Sequence, residues 1–131
     1  MKIAGLFQRA ATPNHNKRIY EKKLLVREIT RLDEAVKERR LMGELDHPSH
    51  DAIKLQNVSH LVTKLSMRGN DMMGEAEILN TPPGQVAQAL IRGGVKLGIS
   101  SRGMGTLTEG EDGLSRVNDD FKLVTFDLVA D

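Results

Sequence analysis

The chain contains no cysteine and no tryptophan, and these absences exclude several kinds of chemistry at once. Without cysteine there is no disulfide, no thiolate nucleophile and no cysteine-ligated zinc site. A chain without disulfides is compatible with an intracellular setting. With one tyrosine and three phenylalanines, the core must be built from Leu, Val, Ile and Met, and base-stacking platforms for single-stranded nucleic acid are disfavoured.

The net charge is also close to zero, and long hydrophobic runs are absent. The 19 basic and 18 acidic residues nearly cancel, so charge favours neither nucleic acid nor an acidic membrane surface as a partner. The segment Met1–Phe7 is too short and weakly apolar for a signal peptide, and no segment approaches membrane-spanning length. A chain of 131 residues can bury one modest core, so we expect a single domain over residues 1–131.

Hydrophobic periodicity predicts two helices. The first runs from about Glu21 to Arg39, with an apolar stripe at the i, i+4, i+7, i+11 spacing formed by Leu25, Ile29, Leu32 and Val36. The second begins at Thr81, whose hydroxyl can cap a helix that starts with two prolines. It ends at Gly93, and its expected buried stripe is Val86, Ala87, Leu90 and Ile91.

Alternating patterns predict strands over residues 1–10, 40–46, 57–67, 71–79, 95–101 and 121–129. Gly69 and Asn70 tolerate positive φ and predict a hairpin turn between the third and fourth of these strands. Residues 102–120 hold four glycines and few apolar residues, which indicates a mobile loop. This order of elements predicts an α+β fold with a mainly antiparallel sheet or barrel.

Two short segments carry the candidate chemistry, Gly43–Pro48 and Gly98–Gly103. A hydroxyl nucleophile needs a base within hydrogen-bond reach, and we interpret Ser100 as the nucleophile and His47 as the base. Strand alternation places Ser101 on the apolar face and Ser100 on the other face, beside Gly98. Ser101 is the alternate nucleophile. Taken by itself, a Ser-Ser pair is more often two ordinary strand-end hydroxyls bonded to backbone.

A third member should orient the imidazole. Asp127 is a carboxylate in an otherwise apolar strand, and a buried carboxylate needs a partner. It is the first candidate, and Thr125 on the same face is the alternate. The backbone N–H groups of Arg102 and Gly103 are the expected donors to the oxyanion.

Two further histidine patterns bear on function, a His-x-x-His pair and a histidine within a strand. His47 and His50 form a His-x-x-His pair, but without cysteine or a further patterned ligand we expect no metal site. His60 lies in the middle of a predicted strand, where a hydrogen-bonded structural histidine is the usual outcome. No cofactor is expected.

The segments Gly43–Pro48, Asn57–His60, Gly98–Gly103 and Val124–Val129, in this order, resemble the prohead core protease of T-even-type tailed phages. The resemblance covers roughly residues 17–131 and implies the small β-barrel with flanking helices that phage prohead proteases and herpesvirus assemblins share. It implies His47 and Ser100 as catalytic residues, whereas Asp127 is an inference because the third member varies among these families. By the same comparison the chain is short at its C-terminus.

The resemblance also implies a serine endopeptidase that cuts scaffold and major capsid proteins inside the prohead, in the host cytoplasm, and then digests itself. Cleavage after Glu, with an aliphatic residue two positions earlier, is the implied preference. Of three matching sites, only Glu109 lies in the predicted loop, so self-cleavage is predicted after Glu109. A pocket for Glu requires a cation, for which Arg102 and Lys96 are candidates. A homo-oligomer is the assembly that assemblin-like proteases suggest.

A second function class stays open at this stage. A capsid-assembly or scaffold-binding module could keep the same fold without catalysis. The joint presence of His47 and Ser100 in their motifs argues against that alternative.

Overall fold

A computed structural model describes residues 1–49 and 52–130 of the chain. It contains two α-helices, α1 (Lys22–Lys37) and α2 (Pro82–Arg92). Its strands are β1 (Lys2–Arg9), β2 (Arg18–Ile19), β3 (Met42–Glu44), β4 (Val58–Arg68), β5 (Asp71–Ile78), β6 (Gly98–Met104), β7 (Leu107–Glu109), β8 (Ser115–Val117) and β9 (Lys122–Val129). Neither helix in this part of the chain is long and apolar enough to cross a membrane.

The strands form three sheets. The largest has the order β1-β5-β4-β3 and is antiparallel throughout, β6 pairs with β9 in an antiparallel ladder, and the third sheet has the order β2-β8-β7. A parallel bridge between Leu45 and Leu128 joins the end of β3 to β9. The predicted α+β class is confirmed. The predicted barrel is not: among the described strands, β1 and β6 each pair on one side only, so no closed barrel forms.

The hairpin of β4 and β5 forms where the sequence predicts it. Gly69 adopts a φ of 63°, a left-handed conformation that glycine reaches without steric cost. Side chains along β5 alternate strictly between buried and half-buried positions, as expected for a strand with one face on the core. Local turn chemistry and period-2 patterning were therefore sufficient here.

Helix α1 buries Leu25 and Leu32 of its predicted stripe, and Ile29 and Val36 pack against the core from half-buried positions. Glu28 is also buried on this face. Its carboxylate accepts hydrogen bonds from Arg31 (3.0 Å), Arg27 (3.2 Å) and the backbone N–H of Leu123 (2.7 Å). Burial would raise the pKa of Glu28, but these hydrogen bonds outweigh burial and lower it. The Glu28 carboxylate thus links α1 to the start of β9 by a hydrogen bond.

Helix α2 begins as predicted, with the Thr81 hydroxyl accepting a hydrogen bond from the N–H of Gly84 at 3.0 Å. Its predicted buried stripe is wrong at Val86, which is 50% exposed, because the helix turns Ala87 and Gln88 inward instead. The Gln88 amide donates to the carbonyl of Leu79 at 3.1 Å. A satisfied amide can therefore occupy a position that patterning assigns to an apolar residue.

The prediction of a mobile loop over residues 102–120 is wrong. Strand β6 continues to Met104, and β7 and β8 form a hairpin whose second strand pairs with β2. Apart from Val117, which is buried in the core, this hairpin is exposed or half-buried. It depends on backbone pairing and polar contacts, such as Thr108 with Asn118 at 2.8 Å. A sheet of that kind leaves no hydrophobic periodicity in the sequence, so periodicity does not predict it. At the other end, Val95 is 47% exposed and precedes β6 rather than starting it.

The core lies between α1, the largest sheet and β9. Its largest fully buried side chain is Phe126, whose ring meets that of Phe7 at a centroid distance of 5.1 Å. Leu24, Leu25, Met72 and Leu123 complete the centre. Because Phe126 points into this core, its neighbours in β9 on the other face, Thr125 and Asp127, point towards β3 and the segment that follows it.

Candidate active site

Three elements meet at one end of β9. In the β6–β9 ladder Ser100 is paired with Asp127, so the two side chains leave the sheet on the same side. After β3, the N–H of Asp46 donates to the carbonyl of Leu128 at 2.7 Å. Asp46 has a φ of 67°, a conformation that Asp tolerates better than most residues. This turn delivers His47 to the face that carries Ser100 and Asp127.

His47 bridges the other two side chains. Its Nδ1 lies 2.8 Å from Oδ2 of Asp127, and its Nε2 lies 2.8 Å from Oγ of Ser100. In the neutral tautomer with the proton on Nδ1, the ring donates to the carboxylate and accepts from the hydroxyl. That is the arrangement in which a serine can lose its proton to an imidazole while a carboxylate orients the ring.

Asp127 is fully buried and is held by four hydrogen bonds. Besides the bond to His47, it accepts from Nε (3.0 Å) and Nη2 (2.8 Å) of Arg102 and from the N–H of Glu44 (3.0 Å). Burial would lower the pKa of Arg102, but hydrogen bonds to Asp127 and Glu44 outweigh burial and raise it. The carboxylate that the sequence marks as needing a partner has a buried cation as that partner.

The alternate residues lie elsewhere. Ser101 is paired with Phe126 in the ladder, so it leaves the sheet on the core side, opposite to Ser100. The Thr125 hydroxyl donates to the carbonyl of Met42 at 2.7 Å and ties β9 to β3. Among the described residues, neither hydroxyl is hydrogen-bonded to His47.

The two residues expected to hold the oxyanion follow Ser100 closely in β6. The β6–β9 register shifts between them, and the extra residue of this β-bulge is Val124 on β9, because Arg102 is paired with Thr125 and Gly103 with Leu123. Arg102 and Gly103 thus stay paired in the ladder, and their role as oxyanion donors stays a prediction.

The two candidate substrate cations lie in different surroundings. The side chain of Arg102 is 7% exposed, and its charge is engaged by Asp127 and Glu44. Lys96 lines a separate groove of about 560 Å³ together with Val95 and Leu97. These positions follow from the tertiary packing of β6, which the face alternation of a single strand does not describe.

A cleft of about 840 Å³ opens beside Ser100 and His47. Among the described residues that line it there is no Asp or Glu, whereas three arginines are present: Arg9, Arg18 and Arg102, the last of which is paired with Asp127 and Glu44. Arg9 is paired with Asp71 at 3.1 Å. Arg18 forms no ion pair within the described part of the chain. Sequence reasoning missed Arg18, because nothing in its local pattern signals that the loop before β2 folds over the cleft.

The other predicted residues lie away from Ser100, His47 and Asp127. His60 is fully buried and bonds the Ser59 hydroxyl (2.8 Å) and the carbonyl of Phe126 (2.7 Å), so it is hydrogen-bonded within the fold. Burial lowers the pKa of His60. Glu109 is exposed at the end of β7 rather than in a loop. His50, the second histidine of the His-x-x-His pair, lies outside the described residues.

Comparisons with known proteins show the family of the chain. The sequence model of the prohead core protein serine protease family matches residues 1–130. The chain belongs to this family. The prohead core protein protease of Enterobacteria phage T4 is 35% identical over 124 residues, which is 92% of this chain and 58% of that relative. The chain therefore spans somewhat more than half the length of this curated relative.

A solved structure has a closely similar fold. The structure of the bacteriophage T4 capsid assembly protease, gp21, matches with a TM-score of 0.93 and 32% identity over 98% of this chain and 80% of that chain. The arrangement of two helices and mainly antiparallel sheets is thus shared with a capsid assembly protease.

Proposed function

We propose that the protein is a serine endopeptidase that cleaves scaffold and capsid proteins during phage head maturation. The observation that carries this proposal is His47, whose two ring nitrogens each lie 2.8 Å from a different partner, Ser100 and Asp127. Membership of the prohead core protein serine protease family supports it. By the same reasoning the protein acts inside the prohead, in the host cytoplasm.

The reaction is acyl transfer. Ser100 Oγ bonds to the peptide carbonyl carbon while its proton passes to Nε2 of His47, and the backbone N–H groups of Arg102 and Gly103 are the proposed donors to the oxyanion. The C–N bond then breaks as His47 returns the proton to the leaving amine. Water, deprotonated by His47, releases the acyl group and restores the Ser100 hydroxyl.

The cleft supports a substrate with an acidic side chain. Its described lining includes no carboxylate, and Arg18 is a cation without an ion pair there, so a substrate glutamate would be attracted rather than repelled. Arg18 replaces Lys96 and Arg102 as the proposed specificity cation. The edge of β6 that pairs with none of the described strands offers backbone groups to an extended substrate strand that passes Ser100.

Self-cleavage after Glu109 remains part of the proposal, with a changed structural context. Glu109 is exposed and lies on β7, which pairs only with β8 among the described strands. An edge strand of three residues can detach at low cost and enter another molecule's cleft. Intact-mass analysis of wild type and Glu109→Gln tests this step: loss of one cut in the variant is expected, and an uncut 109–110 bond in processed wild type would overturn it.

The decisive experiment compares wild type, Ser100→Ala, His47→Ala and Ser101→Ala after incubation with the cognate scaffold protein. Ser100→Ala and His47→Ala should abolish cuts after Glu, whereas Ser101→Ala, the matched control one residue away, should retain them. If Ser101→Ala is the inactive variant, the nucleophile is misassigned. If wild type cuts nothing under assembly conditions, the non-catalytic scaffold-binding module is the better description.

A further inference from the structure

Arg102 lies between two buried carboxylates. Its Nη2 donates to Oδ1 of Asp127 at 2.8 Å and to Oε2 of Glu44 at 2.9 Å, and its Nε donates to Oδ2 of Asp127 at 3.0 Å. Glu44 is 1% exposed and Asp127 is fully buried. The three side chains therefore form one cluster that is shielded from solvent screening.

The charges in this cluster matter for His47. During acyl transfer the imidazole becomes an imidazolium, which a triad carboxylate stabilises. Here Asp127 is paired in bidentate fashion with Arg102, and that pair alone carries no net charge. With Glu44 included, two carboxylates face one guanidinium, and the cluster, counted over the described residues, keeps a net charge of −1. The carboxylate of Glu44 thus restores the negative potential at His47 that Arg102 would otherwise cancel.

Glu44 is not fully explained by its contribution to folding. Its Oε2 bonds Arg102 and lies 3.4 Å from the N–H of Lys54, but its Oε1 is buried without a hydrogen-bond partner among the described residues. A buried carboxylate oxygen that lacks a partner destabilises the folded state. The backbone N–H of Glu44, which bonds Asp127 at 3.0 Å, would be supplied by any residue at this position. The side chain therefore requires a separate reason.

We infer that Glu44 is a positioning residue that acts through Arg102: its charge keeps the cluster behind His47 net negative and so stabilises the imidazolium. This inference rests on the proposed serine protease function. It assigns to the motif Gly43–Pro48 a second functional side chain, three residues before the catalytic histidine.

The other charged and titratable groups near His47 in the described structure do not replace Glu44. His60 on β4 is buried and bonded to Ser59 and Phe126. Asp46 is exposed, so solvent screens its charge. The cleft side contributes Arg9, His15 and Arg18, none of which is acidic.

The experiment measures the pH profile of kcat/KM on a peptide substrate for Glu44→Gln. Glutamine retains an oxygen that can accept from Arg102 but removes the charge. The acid limb, where activity falls as His47 becomes protonated, should move to lower pH by about one unit, with kcat about tenfold lower. The double variant Glu44→Gln/Arg102→Met leaves Asp127 as the single charge, so its limb should return towards the wild-type position.

Glu28→Gln is the matched control. Glu28 is a buried glutamate that also bonds two arginines and a backbone N–H, but it lies on α1 rather than beside His47. It should lower stability without moving the acid limb. Titration of the His47 ring protons by NMR in a Ser100→Ala background gives the same readout without activity.

The possible outcomes separate this inference from the proposed function. An unshifted limb and an unshifted His47 titration in Glu44→Gln would overturn the inference while Ser100 remains catalytic. If Glu44→Gln does not fold, the double variant decides: a wild-type limb position supports charge balance, and a displaced limb contradicts it. If Ser100→Ala is as active as wild type, the proposed function fails, and the NMR titration still reports on Glu44.

Discussion

Ser100 and Asp127 are direct partners in the β6–β9 ladder, and each is hydrogen-bonded to a different ring nitrogen of His47. Two of the three groups are therefore held at a spacing set by sheet geometry, on rigid strands. The segment after β3 has to supply a single side chain, and the hydrogen bond from Asp46 to Leu128 fixes where that segment lies.

Asp127→Asn should lower kcat by about 10³-fold or more, because an amide does not stabilise the imidazolium and favours the wrong histidine tautomer. Steady-state kinetics on a peptide substrate measures this change. Asp112→Asn is the control, since Asp112 is an exposed carboxylate that also bonds an arginine, Arg116, at 3.1 Å. A loss of less than tenfold in Asp127→Asn would show that another group orients His47.

Arg18→Gln should reduce kcat/KM by about 10- to 100-fold for peptides cut after Glu, because a charge-assisted hydrogen bond is lost. Peptides with Gln at the same position should be affected little. Lys96→Gln is the matched control, because Lys96 lies in the other groove. Equal losses of kcat/KM for Glu and Gln peptides would mean that Arg18 stabilises the structure of the cleft and does not bind the substrate glutamate.

Gly43→Ala should destabilise the protein by about 3 kcal/mol, because an added Cβ would overlap the His60 ring and the carbonyl of Phe126. Thermal and urea unfolding measure the change. Gly93→Ala is the control: its added Cβ would meet the carbonyl of Ala89 at 3.3 Å, so a small adjustment suffices. Equal stability of the two variants would contradict this packing.

His60 should make stability depend on pH in a defined window. Burial holds its pKa below the ordinary value of 6.5, so the unfolded state binds its proton first. The contribution of His60 to the free energy of unfolding is fully present above pH 6.5 and falls as the pH drops towards the depressed pKa. Urea unfolding at pH 7.5, 6.5 and 5.5 measures this slope.

His60→Gln should flatten that slope, although the protein becomes less stable overall. His15→Gln, which changes an exposed histidine, should leave it in place. Loss of stability below about pH 4.5 has a different origin, because hydrogen bonds lower the pKa of Glu28 from 4.5 and its contribution disappears on acidification. An unchanged slope in His60→Gln would assign the titration to another group.

Much of the fold follows from local patterns. The stripe of α1, the Thr81 cap of α2 and the turn at Gly69 depend on residues close together in the chain, so periodicity and turn chemistry were enough to predict them. The stripe of α2 was partly wrong because Val86 is exposed and Gln88 is buried. The β7–β8 hairpin was missed because backbone pairing, which leaves no hydrophobic period, holds it together.

The sequence by itself determined which residues could do the chemistry, since the faces of one strand distinguish Ser100 from Ser101 and one unexplained carboxylate marks Asp127. Only the tertiary structure decided how they act together. His47 lies 53 residues before Ser100 and 80 before Asp127, and no local rule relates such distances. The same holds for Arg102, Glu44 and Arg18, whose roles depend on which charges the packed strands bring within hydrogen-bond reach and which they leave in the cleft.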